Sequence, residues 1–321
     1  MKVINQVSKE NYTLYHADTV EVAKALPDNS VGFSIFSPPF ETLFTYSNSP
    51  RDMGNSRSSS DFWQQYKYLI KEQHRVMQSG RLVAIHCMNL PTSKQSHGYI
   101  GIRDFRGEII RAYQDEGFVF HSEVCIWKDP VVAMQRTKAL GLLHKTICKD
   151  SSMSRQGIAD YLVVMRKLGN NEKPIEGALT HYVGDQQPAY FKPVEYDDNR
   201  TAWVVANDNG TPIDIWQRYA SPVWMDINQT DTLNYREGRD NDDERHICPL
   251  QLDVIERALQ LWSMPDDIVW SPFLGIGSEG YISVKMGRKF IGAELKESYF
   301  KLACRNLENA EKGQYDLFGG Q

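Results

Sequence analysis

The chain has 321 residues, 41% of them hydrophobic, with 36 Lys and Arg against 41 Asp and Glu for a net charge of −5. That is ordinary for a globular protein with one large domain or one domain carrying an insertion, and long enough to bury a sizeable core. No apolar run approaches the roughly 20 residues of a membrane helix, the first residues do not form a signal peptide, and the five cysteines are scattered with no C-x-x-C pair. A cytoplasmic, reducing setting without a zinc cluster is therefore expected.

In chain order, Tyr12 to His16 reads as a strand, followed by Asp18 and a short helix from Thr19 to Leu26 that Asp18 can cap. The apolar run Val31 to Phe36 reads as a buried strand, and Ser37-Pro38-Pro39-Phe40 stops it. Neither proline can donate to a ladder and each fixes its own φ, so the result is a rigid corner. It carries a hydroxyl before the turn and an aromatic ring after it, at a strand's carboxyl end, where open α/β sheets place ligands. An ordinary strand-ending turn would look the same.

Glu41 to Ser60 is rich in Ser, Asn and Gly and reads as a lid-like loop. Asp61 to Met77 is an amphipathic helix, with Phe62, Tyr66, Leu69 and Val76 on one side and Gly80 ending it. A buried strand (Leu82 to Cys87), an exposed loop (Pro91 to Gly101), a helix (Phe105 to Glu116) and strands at Phe118 to Trp127 and Tyr161 to Arg166 follow. They are the succession expected of a doubly wound sheet. Between the last two strands, Lys128, Arg136, Lys138, Lys145, Lys149 and Arg155, with His144, form the most basic window of an acidic chain. It reads either as a solvated helix face or as a phosphate-contacting surface.

From Leu168 the periodicity fails and proline, Asn, Asp and Gly clusters appear. Residues 168–245 read as an insert, a target-recognition region or a cover over a sheet edge, between segments 1–167 and 246–321 of one catalytic domain. His246-Ile247-Cys248-Pro249-Leu250 then precedes a helix from Gln251 to Trp262. Ile268 to Trp270 is a strand, Ser271-Pro272-Phe273-Leu274-Gly275-Ile276-Gly277 a turn, and a helix starts near Ser278. The next strand ends on Glu294, 19 residues after Gly275. Gly275, Gly277 and Gly280 fit G-x-G-x-x-G, and with the acid they indicate a nucleoside-containing cofactor. A final helix from about Lys296 to Ala310 leaves Glu311 to Gln321 as a frayed tail.

The corner and the glycine turn together resemble the DNA amino-methyltransferases of the β class, in which the catalytic motif precedes the cofactor loop. Ser37-Pro38-Pro39-Phe40 is similar to their Ser/Asn/Asp-Pro-Pro-Tyr/Phe motif, and Ser271 to Gly277 to Asp-Pro-Phe-x-Gly-x-Gly, with Ser271 at the aspartate. The resemblance implies a circularly permuted, mostly parallel seven-stranded Rossmann-like sheet with helices on both faces. It implies that the strand ending at Trp270 lies beside one starting near Tyr12 or Lys289. The implied cofactor is S-adenosylmethionine, held by Asp18 at the adenine, Glu294 at the ribose, His246 and Pro249 near the methionine end, and Phe36, Phe273, Gly275, Gly277 and Ser278.

The implied chemistry is methyl transfer to an exocyclic amino group of a base flipped out of double-stranded DNA. Ser37 Oγ and the Pro38 carbonyl would accept the amino hydrogens, Pro39 would stiffen the corner, and Phe40 would stack on the base. Lys128, Arg136, Lys138, His144, Lys145 and Arg155 would meet phosphates. A serine heading the motif points to cytosine N4, with adenine N6 as the alternative. No Pro-Cys pair is present, which disfavours cytosine C5 chemistry. A homodimer and a cognate restriction enzyme, or an orphan phage-like enzyme with neither, stay open. The glycine pattern alone would also fit a nicotinamide-dependent oxidoreductase, though too little chain follows Gly280. A catalytically inactive DNA-binding regulator would keep both motifs.

Overall fold

The computed structural model describes residues 3–40, 52–56, 58–92, 98–137, 142–154, 156–176, 189–195, 201–207, 212–238 and 249–318. A nine-stranded sheet runs through them. Its spatial order is β1 (Val3–Ser8), β2 (Tyr12–Ala17), β13 (Lys289–Glu294), β12 (Ile268–Ser271), β3 (Val31–Phe36), β4 (Met77–Met88), β8 (Asp160–Lys167), β7 (Phe118–Ile126) and β11 (Val223–Trp224). Only β1 and β8 run against the rest. The strand ending at Trp270 pairs in parallel with the one starting at Lys289 and also with β3. The sheet is thus the expected mostly parallel one, with two edge strands, β1 and β11, that the apolar pattern did not reveal.

Both faces are covered. The helices α1 (Thr19–Ala25), α2 (Ser59–Val76) and α3 (Phe105–Asp115) lie on one face, where Phe36, Phe62, Tyr66, Val83, Ile85 and Tyr113 pack together. Beyond β7 come two short helices, α4 (Pro130–Thr137) and α5 (His144–Lys149). The β5 (Leu90–Thr92) and β6 (Gly101–Arg103) strands pair as a two-stranded sheet of their own, the β9 (Ala189–Glu195) and β10 (Thr201–Asn207) strands pair as a separate hairpin, and α6 (Pro212–Tyr219) follows. The other face carries α7 (Leu252–Trp262), α8 (Ser278–Lys285) and α9 (Glu297–Phe318); there Phe33, Ile35, Ala84, Leu162, Val254, Ala258 and Phe290 form the core.

Beneath the β3–β12 junction runs a fully buried polar chain. Ser34 Oγ donates to the Trp270 carbonyl (2.8 Å), Gln73 Nε2 donates to Ser34 Oγ (2.9 Å) and Tyr113 OH donates to Gln73 Oε1 (2.7 Å). It ties α2 and α3 to the two strands that carry the sequence motifs, and buried polar groups of this kind hold only when each finds its partner.

Several boundaries differ from the sequence expectation. Helix α2 begins at Ser59, because Ser58 accepts from Asp61 N (3.2 Å) as its cap. It ends at Val76 rather than at Gly80. Gly80, at φ 75°, lies inside β4 where the register with β3 slips. Helix α9 continues past Ala310 to Phe318, and the Lys312–Glu308 pair one turn apart spans the expected end. The described part of the insert from Pro212 onward joins the main body: Cys125 N donates to the Pro222 carbonyl (2.9 Å) and Trp127 N to that of Trp224 (3.0 Å). Trp224 is buried in the core of the α7 face, and Arg257 of α7 grips Asp226 through two 2.9 Å bonds. Burying Trp224 on an edge strand is worth more than leaving it in a loop.

Candidate active site

Four adjacent parallel strands, β2, β13, β12 and β3, end on one edge of the sheet. They deliver Asp18, Glu294, the turn Pro272 to Gly277, and the Ser37–Phe40 corner side by side. Because Trp270 is opposite Ser34, Ser37 and Phe273 leave their strands at the same level. The Phe36 and Phe273 rings meet at 5.7 Å.

Glu294 organises the glycine turn. Its Oε2 accepts from Gly275 N (2.8 Å), and its Oε1 accepts from Leu295 N (2.9 Å) and Lys296 N (2.8 Å). Burial pushes its carboxyl up to about 7 against the pull of those N–H groups, and the Asp52 charge adds to the rise. Asp52 itself caps the 3₁₀ turn Met53–Asn55, so part of the stretch read as a lid lies within electrostatic reach of Glu294. Gly277 has φ 89°, and a Cβ there would stand 2.8 Å from Leu307 Cδ1, which only glycine allows. At Gly275, φ is 52° and nothing lies within 4 Å of the place a Cβ would take. The turn is therefore closed against α9 behind and open in front.

Ser278 and Glu279 start α8. Ser278 Oγ is buried without a hydrogen-bond partner among the described residues, and burial pushes the Glu279 carboxyl up to about 8. Asp18 caps α1, its carboxylate accepting from Val20 N at 2.9 Å. Pro249 lies just before α7, half-buried. His246 falls outside the described residues.

These features suit a nucleoside cofactor. The open space before Gly275, the buried acid at the next strand end and the orphaned Ser278 hydroxyl are what such a group requires.

At the corner, Pro38 and Pro39 are buried and Phe40 is half-buried, its ring edge-on to Phe105 at 6.1 Å. Ser37 Oγ is 2.8 Å from His86 Nδ1, and His86 Nε2 is 3.1 Å from Asp160 Oδ2. Lys128 Nζ lies 2.5 Å from the same Asp160 oxygen. Burial alone would push the Asp160 carboxyl up. His86 and Lys128, each through charge and hydrogen bond, outweigh it and hold the carboxyl below the ordinary aspartate range.

Lys128, expected to meet a phosphate, is paired in this cluster with a buried carboxylate. Of the other basic residues, His144 and Lys145 are exposed on the first turn of α5, Arg136 lies on α4, and Lys138 and Arg155 fall outside the described residues. His86 and Asp160 were missed. The signal was a histidine inside the apolar run from Leu82 to Met88 and an aspartate heading the run from Tyr161 to Met165.

An open sheet whose carboxyl edge carries a nucleoside cradle on two strands and a rigid hydrogen-bonding corner on the next is the frame of an S-adenosylmethionine-dependent methyltransferase. The comparisons narrow this. A family model described as DNA methylase, covering N6- and N4-directed enzymes, matches residues 31–305, and the chain belongs to that family. It is 22% identical to the type II methyltransferase M.BglII of Bacillus subtilis over 296 residues, 92% of this chain and 68% of that protein. A local stretch of 67 residues, 21% of this chain and 23% of the relative, is 39% identical to the DNA adenine methyltransferase YhdJ of Escherichia coli. Among solved structures, TTHA0409 of Thermus thermophilus complexed with S-adenosyl-L-methionine superposes with a TM-score of 0.64 at 18% identity over 94% of each chain. The PvuII cytosine-N4-specific DNA methyltransferase gives 0.59 at 12% identity over 100% of this chain and 98% of that one. The two structural likenesses show a shared fold.

Proposed function

We propose that the chain methylates cytosine N4 in double-stranded DNA after the base is flipped into the site. The observation that carries the proposal is the adjacency of Ser37 and the glycine turn on neighbouring parallel strands. Glu294, Asp18, Gly275, Gly277, Ser278, Phe36, Phe273, His246 and Pro249 would hold the cofactor, which when bound supplies an electrophilic methyl on a sulfonium.

The chain's own task is to make a poor nucleophile usable. The lone pair of an exocyclic amino group is delocalised into the base, and the nitrogen must pyramidalise to present it. Two acceptors on its hydrogens favour that shape. Ser37 Oγ is one, and the Pro38 carbonyl, aimed by two fixed φ angles, is the other. Phe40 offers a face on which the flipped base stacks, offsetting the few kcal/mol of unstacking. Placement and preorganised polar groups then carry the rate, with no covalent intermediate on the enzyme. His144, Lys145, Arg136, Lys138 and Arg155 would meet phosphates, and the β9–β10 hairpin is the part of residues 168–245 assigned to target recognition.

The serine heading the motif supports cytosine, and the local likeness to an adenine methyltransferase supports adenine N6 as the second reading. The test is mass spectrometry of nucleosides, with single-molecule sequencing, on DNA from cells expressing the protein. N4-methylcytosine is expected. N6-methyladenine in its place would overturn the choice of base, and neither would overturn the function. Among the described residues no helix is long and apolar enough to cross a membrane.

A further inference from the structure

His86, Asp160 and Lys128 reach one another by strand alternation. Phe33, Ile35 and Ser37 share a face of the sheet, as do Leu82, Ala84 and His86, then Asp160, Leu162 and Val164, and Val124, Ile126 and Lys128. On four neighbouring strands the apolar face of the sheet thus ends, at its carboxyl edge, in a polar residue. The result is a continuous row of contacts: 2.8 Å from Ser37 Oγ to Nδ1, 3.1 Å from Nε2 to Asp160, and 2.5 Å from Asp160 to Lys128.

The direction of the hydrogen bonds follows from chemistry. An ionised carboxylate only accepts, so Nε2 of His86 carries the hydrogen toward Asp160. In the neutral imidazole Nδ1 is then a bare acceptor, and Ser37 Oγ–H donates to it. That leaves the lone pairs of Ser37 Oγ free toward the site, as an acceptor of an amino hydrogen must be. Without the histidine the hydroxyl could rotate and point its hydrogen at the base.

We infer that His86, Asp160 and Lys128 form a buried relay that fixes Ser37 as an acceptor and takes up the proton that amino methylation releases. The inference rests on the methylation reading above and adds the fate of the proton. As the N–C bond forms, the S–C bond breaks with its pair left on sulfur, and the amino nitrogen becomes a cation with one hydrogen too many. That hydrogen passes to Ser37 Oγ while the hydroxyl's own passes to Nδ1. The imidazolium faces the Asp160 carboxylate until it loses the proton to solvent. Lys128 balances Asp160 before the transfer, so the buried group starts neutral overall.

A serine, histidine and aspartate in series also suggest a hydrolytic nucleophile. Such a serine needs backbone N–H donors beside it for the oxyanion. Here the two following residues are prolines and have none. Ser37 is built to receive a hydrogen, not to attack.

The charged groups around His86 are Asp160 from β8 and Lys128 after β7. Asp104, Arg106 and Glu123 lie further out, with Arg106 paired to Glu123 at 2.8 Å. The test variant is His86→Asn, whose amide can hydrogen-bond at the Nδ1 position but cannot take a proton. Single-turnover methyl transfer should fall on the order of 10²–10³-fold, with cofactor and DNA affinity unchanged. Wild-type transfer is expected to slow in acid, and transfer by the variant should not. ¹⁵N-histidine spectra of the cofactor-free wild type should show the hydrogen on Nε2, and a fluorophosphonate probe should leave Ser37 unlabelled. His86→Asn acting at the wild-type rate with the same pH profile would overturn the relay, as would a hydrogen on Nδ1 at neutral pH or a labelled Ser37. The two wild-type readouts decide even if the variant fails to fold. A wild type that transfers no methyl group at all would instead overturn the methylation reading itself.

Discussion

Glu294 makes cofactor affinity depend on pH in a way that can be calculated. Its carboxyl is buried with a pKa of about 7 in the ligand-free protein, while hydroxyls of a bound ribose need an ionised acceptor. Each pH unit below 7 then costs about 1.4 kcal/mol of binding. At pH 5 affinity should stand on the order of 100-fold, or about 2.7 kcal/mol, below its plateau near pH 7.5. Glu294→Gln removes the titration. It also turns an NH₂ toward one of the three backbone N–H groups that now donate to the carboxylate, which costs about 1–3 kcal/mol at every pH. Calorimetric titration with the demethylated cofactor from pH 5 to 7.5, without DNA, separates the two effects. The wild type should slope and the variant should lie flat and lower. A flat wild-type curve, or an equal slope in Glu294→Gln, would refute the assignment. The same group acts on stability with the opposite requirement. Its folded pKa is raised, so the folded protein holds the proton more tightly than the unfolded chain. That contribution is complete below the ordinary glutamate pKa and is lost as pH rises toward 7. The ligand-free melting temperature should therefore drop across this window, and cofactor should recover it.

Ser37→Ala should leave cofactor and DNA binding intact, because the prolines shape the corner, and slow single-turnover methyl transfer by roughly 10²–10³-fold; a wild-type rate would make the corner merely structural. Asp226→Ala strands the buried Arg257 guanidinium and should cost about 3–5 kcal/mol in urea unfolding, whereas the double change with Arg257→Met should recover much of the loss. Neutralising Arg136, Lys138 and Lys145 together should flatten the dependence of DNA affinity on salt by roughly two to three units of slope. Lys128→Met should leave that slope unchanged, and a decrease of about one unit would return Lys128 to the phosphate surface.

Most of the fold was legible because its signals are local. Proline pairs and left-handed glycines punctuate strands whatever surrounds them, and period-2 or 3.6 apolar patterns mark elements that must bury a face. What escaped depends on partners distant in sequence. Val3–Ser8 is a strand because Tyr12–Ala17 lies beside it, and Val223–Trp224 because β7 offers an open edge. Neither has an apolar pattern of its own. Helix α9 runs past the end of its apolar stripe, and the exposed Lys312–Glu308 pair one turn apart spans that end.

The active edge divides along the same line. Ser37, Gly275, Gly277 and Glu294 announce themselves through unusual neighbours in sequence. His86 and Asp160 have ordinary neighbours, and their meaning appears only when β3, β4 and β8 are laid in register, Phe36 opposite Ile85 and Met88 opposite Asp160. A period-2 reading already contains half of this. In Leu82–Ala84–His86 and Asp160–Leu162–Val164 the polar residue ends the buried face instead of breaking it. A polar side chain where a buried face reaches the carboxyl edge of the parallel strands, at the last position of a parallel strand or the first of an antiparallel one, lies where α/β sheets bind ligands, so it merits the attention usually given to motifs. Lys128 shows the converse. Its place in a basic window suggested a solvated or phosphate-facing role, but it follows Ile126 by two residues and so returns to the buried face, where an aspartate was waiting for a counter-charge.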